Sequence, residues 1–324
     1  MEVVRLEPLP EVAAAPGTSE PRDGPEAVVA VGNFDGVHRG HQALVLAALA
    51  RARSRSDVCL ALTFDPHPAV VLSPQRAPRS LMTLEQKAEL LAALGVDVLT
   101  VLPFTPTLAA FSPRDFAARV LVGALRARSV VVGEGFRFGK GRAGDVAELQ
   151  RLGQELGFEV MAVSAVLQDG LRVSSTGIRE SLREGDVARA AVLLGRPHFV
   201  DGRVVRGDGR GRTLGIPTAN LALENEVAPK EGVYAARVAL PAGGPPRAAV
   251  ANLGRRPTFG GDAVALEAHL LDFEGDLYGQ RLRLSFVERL RDEKGFPGPH
   301  ALVAQISADV LQARRVLAEG RDGL

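Results

Sequence analysis

The first half of the chain alternates short apolar runs with helical stretches, and this alternation restricts the possible fold more than any other feature. The apolar runs are rich in β-branched residues, as in AVVAVGNF (27–34) and VCLALTF (58–64). The segments between them, such as HQALVLAALARAR (41–53), carry apolar residues at helical spacing. Regular alternation of strand and helix predicts a parallel sheet with right-handed crossovers. We therefore expect a Rossmann-like α/β domain.

The pattern changes after residue 186. Asp186 is a suitable N-cap for one more helix, and Gly195 and Pro197 favour its termination. Short strand-like runs follow, such as GVYAARVAL (232–240), separated by glycine and proline, and only the last stretch is clearly helical. We therefore expect a small antiparallel β-barrel with a C-terminal helix, and two domains that cover residues 1–186 and 187–324.

Charge and cysteine content narrow the classes of partner. The 39 Lys and Arg residues nearly balance the 38 Asp and Glu residues, so no global field favours nucleic acid or a membrane surface. Cys59 is the single cysteine and cannot form an intrachain disulfide. No basic segment followed by an apolar stretch opens the sequence. We expect a cytoplasmic monomer or weak homo-oligomer, with residues 8–25 as a proline-rich loop.

The stretch VGNFDGVHRGHQ (31–42) places two histidines where an apolar strand gives way to a helix. The start of that helix offers unpaired backbone N–H groups, and glycines allow the backbone to approach a ligand closely. We expect a triphosphate site here, with His38 and His41 as hydrogen-bond donors to oxygens that gain charge. No third metal ligand is close in sequence, which disfavours a metal site. The alternative is a pair of turn and capping residues.

Two other glycine-rich stretches lack the spacing of common nucleotide motifs. GEGFRFGK (133–140) is not a P-loop, because its glycine spacing differs and no Ser or Thr follows Lys140. GDGRGR (207–212) carries Arg212 where a dinucleotide fingerprint requires its last glycine. Both stretches therefore need another explanation.

Four motifs follow one another in the first half: GNFDGVHRGH (32–41), TFDPHP (63–68), VVGEGFRFGKGRAGD (131–145) and VSSTGIRESL (173–182). The first looks like an HxGH signature, and the set resembles, in the same order, the nucleotidyltransferase module of the bifunctional riboflavin kinase/FAD synthetase family. The resemblance implies catalytic roles for His38, His41 and Arg179. It implies ATP or phosphate contacts for Gly32, Phe34, Gly36, Gly40, Ser174, Ser175 and Thr176. It implies flavin contacts for Asp65, Gly135, Phe136 and Arg137. Physically, hydroxyls at a helix start can hold an anion to which Arg179 adds charge, although ordinary helix capping is the alternative.

The second half resembles the riboflavin kinase signature. In VVRGDGRGRTLGIPTANL (204–221), the PTAN element implies that Thr218 and Asn220 lie at an ATP and Mg²⁺ site. Gly207 and Gly215 would let backbone amides wrap the phosphates. ANLGRRPTFGG (251–261) also matches a family segment, which makes Asn252 a candidate flavin contact.

Strand alternation identifies Glu267 as the candidate base of the second half. In ALEAHLLDF (265–273), Leu266, Ala268 and Leu270 share one face of a strand, so Glu267 points away from the apolar layer. A carboxylate there could accept a proton from an attacking alcohol. The resemblance places the catalytic glutamate of the family at this position. The alternative is an ordinary surface glutamate.

The resemblance implies two ATP-dependent reactions, each requiring Mg²⁺. Riboflavin would be phosphorylated to FMN, and FMN would be adenylylated to FAD with release of pyrophosphate. One departure is Gly135, where relatives commonly carry Asn or Asp. Two alternatives stay open: a riboflavin kinase whose adenylyltransferase module is weak or of altered specificity, and a flavin-binding paralogue without turnover.

Overall fold

The computed structural model describes residues 1–7, 26–207, 211, 215–258 and 261–318, with only the backbone for residues 255–264. The proline-rich loop expected at residues 8–25 lies outside the described residues. The chain forms two compact units, one of residues 1–79 and 84–173 and one of residues 80–83 and 174–324. The domain boundary expected after residue 186 stays a prediction.

The first unit contains a parallel sheet of six strands, as the alternating pattern predicted. Its strand order is β1-β4-β3-β2-β5-β6. The strands are β1 (Glu2–Arg5), β2 (Ala27–Val31), β3 (Val58–Asp65), β4 (Val98–Pro103), β5 (Ala127–Gly133) and β6 (Glu159–Val163). The two apolar runs AVVAVGNF and VCLALTF correspond to β2 and β3, whereas β1, a short edge strand that pairs with β4, was not predicted. Strand β2 is buried along its whole length, which explains its continuous apolar run.

Helices connect the strands of this sheet. They are α1 (Arg39–Arg55), α2 (Pro68–Leu72), α3 (Leu84–Leu94), α4 (Pro106–Ala109), α5 (Pro113–Asp115), a π-helix (Phe116–Ala124) and α6 (Val146–Leu156). The helical segment that precedes β5 is therefore mostly a π-helix. A two-stranded ribbon of β7 (Leu167–Gln168) and β8 (Leu171–Arg172) follows the sheet. Helices and sheet share one apolar core that includes Val29, Leu62 and Leu121.

The second unit begins with two helices, α7 (Ser175–Glu184) and α8 (Val187–Leu194). Both caps expected for α8 are present. The Asp186 side chain accepts a hydrogen bond from the backbone N–H of Arg189, and Gly195 ends the helix with φ +74°. Sequence reasoning thus placed this helix to the residue.

A closed antiparallel barrel follows, which confirms the fold expected for the second half. Its strand order is β10-β13-β12-β11-β14-β9. The strands are β9 (His198–Val205), β10 (Ala219–Leu223), β11 (Gly232–Ala239), β12 (Arg247–Thr258), β13 (Gly261–Leu270) and β14 (Arg281–Arg291). The last helix, α9 (Pro299–Ala318), packs against the barrel through Ala313, Val316 and Leu317. In the part of the chain that the structure describes, no helix is long and apolar enough to cross a membrane.

Candidate active sites

His38 forms the N-terminal cap of α1 in the first unit. Its Nδ1 accepts a hydrogen bond of 3.3 Å from the backbone N–H of His41, and its side chain is buried. A neutral imidazole has one protonated nitrogen, so neutral His38 carries its proton on Nε2. His38 therefore caps the helix with Nδ1, and Nε2 is the ring nitrogen that carries its donor N–H.

His41 lies directly against His38. The two rings are stacked with their centroids 3.6 Å apart, and Phe34 contacts the His41 ring edge-on. Burial holds the pKa of His41 well below its ordinary value, and the nearby His38 and Lys87 lower it further. Its enclosed Nδ1 has no hydrogen-bond partner among the described residues. At neutral pH the site therefore holds His41 as an uncharged imidazole.

We expected the glycines of this motif to let the backbone approach a ligand. Their backbone conformation and close packing within the loop also explain them. Gly36 has φ +90°, a conformation that glycine adopts without strain. A Cβ at Gly40 would lie only 3.2 Å from Nδ1 of His38, and one at Gly32 would lie 3.2 Å from the ring of Phe34. Because the ring of Phe34 is fully buried, any ligand contact at this position would involve its backbone.

Lys87, on α3, is a residue of this region that sequence reasoning missed. Its Nζ donates a hydrogen bond of 3.2 Å to Oγ1 of Thr63, which in turn donates to the backbone carbonyl of Asn33. Burial lowers the pKa of Lys87, whereas the carboxylates of Asp35 and Asp65 act in the opposite direction. A cation thus lies behind the histidine motif, close enough to influence His41.

An aromatic cavity of about 620 Å³ lies in the same unit. Five phenylalanines that line it are linked in a chain of ring contacts: Phe104, Phe64, Phe116, Phe138 and Phe136. The candidate flavin contacts Gly135, Phe136 and Arg137 line the same cavity, as does Gly32. The Asp65 carboxylate instead accepts a hydrogen bond of 3.0 Å from Arg5. A flat aromatic ligand suits such walls.

The side chain of Arg172 lies next to Gly135. A Cβ at this position would lie 3.3 Å from a terminal nitrogen of Arg172, a flexible and exposed side chain. The backbone of Gly135 is not in the left-handed region, so a side chain there would not strain it. The position therefore does not require glycine.

The second phosphate motif lies at the start of α7, in the second unit. Ser174 is the N-cap and its Oγ accepts a hydrogen bond of 3.2 Å from the backbone N–H of Gly177. Ser175 and Thr176 occupy the first turn, and Arg179 follows one turn later. Their capping geometry is the one that the sequence predicted, and their phosphate contacts stay a prediction.

The barrel brings three predicted residues of the second half side by side. In its register, Glu267 on β13 is paired with Asn220 on β10 and with Asn252 on β12. Residues paired across strands present their side chains on the same face, with their Cβ atoms about 5 Å apart. All three line a cavity of about 640 Å³, together with Thr218. Strand pairing thus assembles residues that are far apart in sequence.

Hydrogen bonds fix the loop that precedes β10. Thr218 Oγ1 donates to the Glu267 carboxylate at 3.3 Å. The ring of His269 lies 2.8 Å from the carbonyl of Pro217, so its Nδ1 must carry the donated proton. A Cβ at Gly207 would collide with the Asn220 amide, which explains the small residue there, and Gly215 has φ +75°. Glu267 and His269 share one face of β13 as expected.

Sequence reasoning missed the opposite wall of this cavity. Arg291 donates two hydrogen bonds to the buried carboxylate of Asp309, its Nη2 at 2.7 Å, and both residues line the cavity. Phe296 and Ile306 add apolar surface. The only signal was an acidic residue on the apolar face of the final helix, which does not identify its partner.

Comparisons with known proteins assign a different family profile to each half of the chain. The sequence profile described as FAD synthetase matches residues 20–177, and the profile described as riboflavin kinase matches residues 194–317. A bifunctional riboflavin kinase/FMN adenylyltransferase of Escherichia coli K12 is 41% identical over 294 residues, which is 91% of this chain and 93% of that protein. The protein of the same description from Pseudomonas fluorescens is 42% identical over 292 residues, which is 90% of this chain and 93% of that one.

A crystal structure described as a macrolide-efflux protein from Streptococcus pneumoniae has the same overall fold. It matches with a TM-score of 0.85 and 30% identity, over 97% of this chain and 99% of that one. The resemblance inferred from the sequence motifs is thus confirmed across nearly the whole chain. The chain belongs to the family of bifunctional riboflavin kinase/FMN adenylyltransferases.

Proposed function

We propose that residues 187–324 phosphorylate riboflavin to FMN, and that residues 1–186 adenylylate FMN to FAD, with ATP as the co-substrate of both reactions. The observation that carries this proposal is the alignment of Asn220, Glu267 and Asn252 across three barrel strands, beside a cavity of about 640 Å³. The first unit contributes the stacked His38–His41 pair and a second cavity of its own.

In the kinase reaction the attacking group is a primary alcohol, the ribityl 5′-hydroxyl. Glu267 accepts the hydroxyl proton while the oxygen forms a bond to the γ-phosphorus, and the bond from that phosphorus to the leaving ADP oxygen breaks. The hydrogen bond from Thr218 keeps the Glu267 carboxylate oriented toward the cavity. Asn252 and the apolar residues of α9 hold the flavin.

The oxygen donors around Glu267 suit Mg²⁺. Thr218 Oγ1 and the Asn220 amide oxygen are hard ligands, and Mg²⁺ in such sites keeps several waters and phosphate oxygens as its other ligands. When bound, Mg²⁺ neutralises charge on the transferred phosphate. Thr218 and Asn220 are therefore the proposed metal contacts.

In the adenylylation the attacking group is the FMN phosphate, which is already anionic and needs no base. Its oxygen forms a bond to the α-phosphorus of ATP, and the bond to pyrophosphate breaks. His38 and His41 donate hydrogen bonds to oxygens that gain charge, which is a role that a neutral imidazole can fill. Gly36, Gly40, Ser174, Ser175 and Thr176 hold phosphates, and Arg179 adds positive charge.

Two alternatives remain distinguishable. The absence of a side chain at Gly135 leaves open an adenylyltransferase of low activity, and a flavin-binding paralogue would lack turnover altogether. A binding protein has little need for a carboxylate held toward a cavity by Thr218. The purified chain should be incubated with riboflavin, ATP and Mg²⁺, and the products separated by chromatography. We expect FAD; FMN alone would indicate an inactive first unit, and neither product would refute the proposal.

A further inference from the structure

Asn33 and His67 touch at the wall of the aromatic cavity in the first unit. The amide nitrogen Nδ2 of Asn33 is placed 3.0 Å from Nε2 of His67, and both residues line the cavity. Asn33 follows β2, and His67 caps the start of α2. Neither residue was among those singled out from the sequence, although both lie inside its motifs.

The other ring nitrogen of His67 is already used. Its Nδ1 accepts a hydrogen bond of 3.2 Å from the backbone N–H of Ala69. A neutral imidazole has one protonated nitrogen, and a nitrogen that accepts cannot be the protonated one. Neutral His67 therefore carries its proton on Nε2, and this nitrogen donates.

An Nε2–H donor needs an acceptor, and an amide NH₂ group is not one. The oxygen and nitrogen of an asparagine amide have nearly the same shape, so their assignment follows from the hydrogen bonds around them. The Asn33 side chain must therefore turn Oδ1 toward His67. Its NH₂ group then takes the place of Oδ1, which accepts no hydrogen bond from the part of the chain that the structure describes, in a side chain that lines the cavity.

We propose that Asn33 is a specificity-determining residue of the adenylyltransferase site. Its NH₂ group donates a hydrogen bond to an oxygen of the flavin substrate, and His67 is a positioning residue that fixes the direction of the amide. The proposal rests on the proposed function of this cavity. FMN offers three kinds of acceptor oxygen: those of its phosphate, the carbonyls of its ring and the hydroxyls of its ribityl chain.

Two substitutions distinguish recognition of a ligand from a structural role. Asn33→Asp keeps an acceptor for His67 but presents a second acceptor to the ligand oxygen, whereas Asn33→Ala removes both groups. If Asn33 donates to the substrate, kcat/KM for FMN falls about tenfold in Asn33→Ala and further in Asn33→Asp. Two acceptor oxygens that face each other weaken binding more than the loss of one hydrogen bond does. If Asn33 only holds His67, the order reverses and Asn33→Asp stays near the parent value. That reversed order would overturn the proposal.

The acceptor is identified in a Glu267→Gln background, where riboflavin is phosphorylated only slowly and can compete with FMN for the adenylyltransferase site. If the NH₂ group binds the phosphate, Asn33→Ala raises KM for FMN and leaves the inhibition constant of riboflavin unchanged. If it binds a group that riboflavin shares with FMN, a ring carbonyl or a ribityl hydroxyl, both constants rise together. Either result supports the donor role, whereas no change in either constant would contradict it.

A measurement independent of activity tests the first step. The ring nitrogen shifts of His67 in an NMR spectrum of the full-length protein at neutral pH should show a protonated Nε2 and an unprotonated Nδ1. A protonated Nδ1 would remove the basis of the inferred amide orientation, even in a chain that makes FAD. Conversely, a chain that makes no FAD would contradict the proposed function. The NMR spectrum would still show which nitrogen of His67 is protonated, so the two failures can be told apart.

Discussion

The two candidate sites solve the activation of a nucleophile in different ways. The barrel site contains a carboxylate, Glu267, held by Thr218 and flanked by two asparagines. The first unit instead presents two stacked histidines, of which His41 is kept neutral by burial. An alcohol benefits from a base as it attacks, whereas a phosphate does not. On the proposed assignment, the protonation state of the attacking group decides which side chains each site needs.

The largest effect should come from the base. Changing Glu267→Gln removes the proton acceptor and keeps the shape of the side chain, so riboflavin phosphorylation should fall by about 10² to 10⁴-fold in kcat. Steady-state FMN formation measures this loss. Glu274→Gln, an exposed glutamate after the same strand, is the matched control. Unchanged turnover in Glu267→Gln would remove this residue from the mechanism.

The histidines should matter almost as much, but only for the other reaction. His38→Ala and His41→Ala each remove a preorganised donor, a loss of about 3 kcal/mol or roughly a hundredfold in FAD formation. Formation of FMN from riboflavin should stay close to that of the parent. Loss of both activities in a folded variant would show that the two sites are not independent.

A smaller effect should follow from the cation behind the histidines. Lys87→Met removes a charged hydrogen-bond donor to Thr63, which should lower FMN adenylylation by about tenfold. Because Lys87 lowers the pKa of His41, that pKa should rise in Lys87→Met and change less in Lys87→Arg. Titration of His41 by NMR measures this shift. An adenylylation rate and a His41 pKa equal to those of the parent would exclude any role for Lys87.

The smallest effect should come from Gly135. An asparagine there would lie beside the mobile end of Arg172, and its amide could add one hydrogen bond to the flavin, worth about 1 kcal/mol. We expect Gly135→Asn to raise the efficiency of FMN adenylylation by up to about tenfold, with kinase activity unchanged. Equal or lower efficiency would mean that glycine is a neutral replacement at this position.

Local sequence patterns predicted most of the fold, because strand burial and helix caps depend on residues that lie close together in sequence. The continuous apolar run of β2 reflects a strand buried on both faces, and Asp186 and Gly195 mark the ends of α8. The face of β13 that carries Glu267 followed from alternation along one strand, whereas its role as a base stays a prediction that the resemblance implies. Strand β1 was missed because four residues at a sheet edge carry too little pattern.

Contacts between distant segments could not be predicted in this way. Lys87 is one polar position in an amphipathic helix, and nothing in its spacing shows that it faces Thr63. Arg291 and Asp309 meet only because α9 packs across the barrel. The orientation of Asn33 depends on a hydrogen bond to a residue in another motif. Such pairs follow from the folded geometry.

The central claim is that one chain carries two independent transfer sites, and complementation tests it most directly. The Glu267→Gln variant should convert supplied FMN to FAD but make little FMN, whereas His38→Ala should accumulate FMN from riboflavin. Mixed in one tube with riboflavin, ATP and Mg²⁺, the two variants should produce FAD at a rate far above that of either alone. A mixture that makes no more FAD than the separate variants would contradict the account.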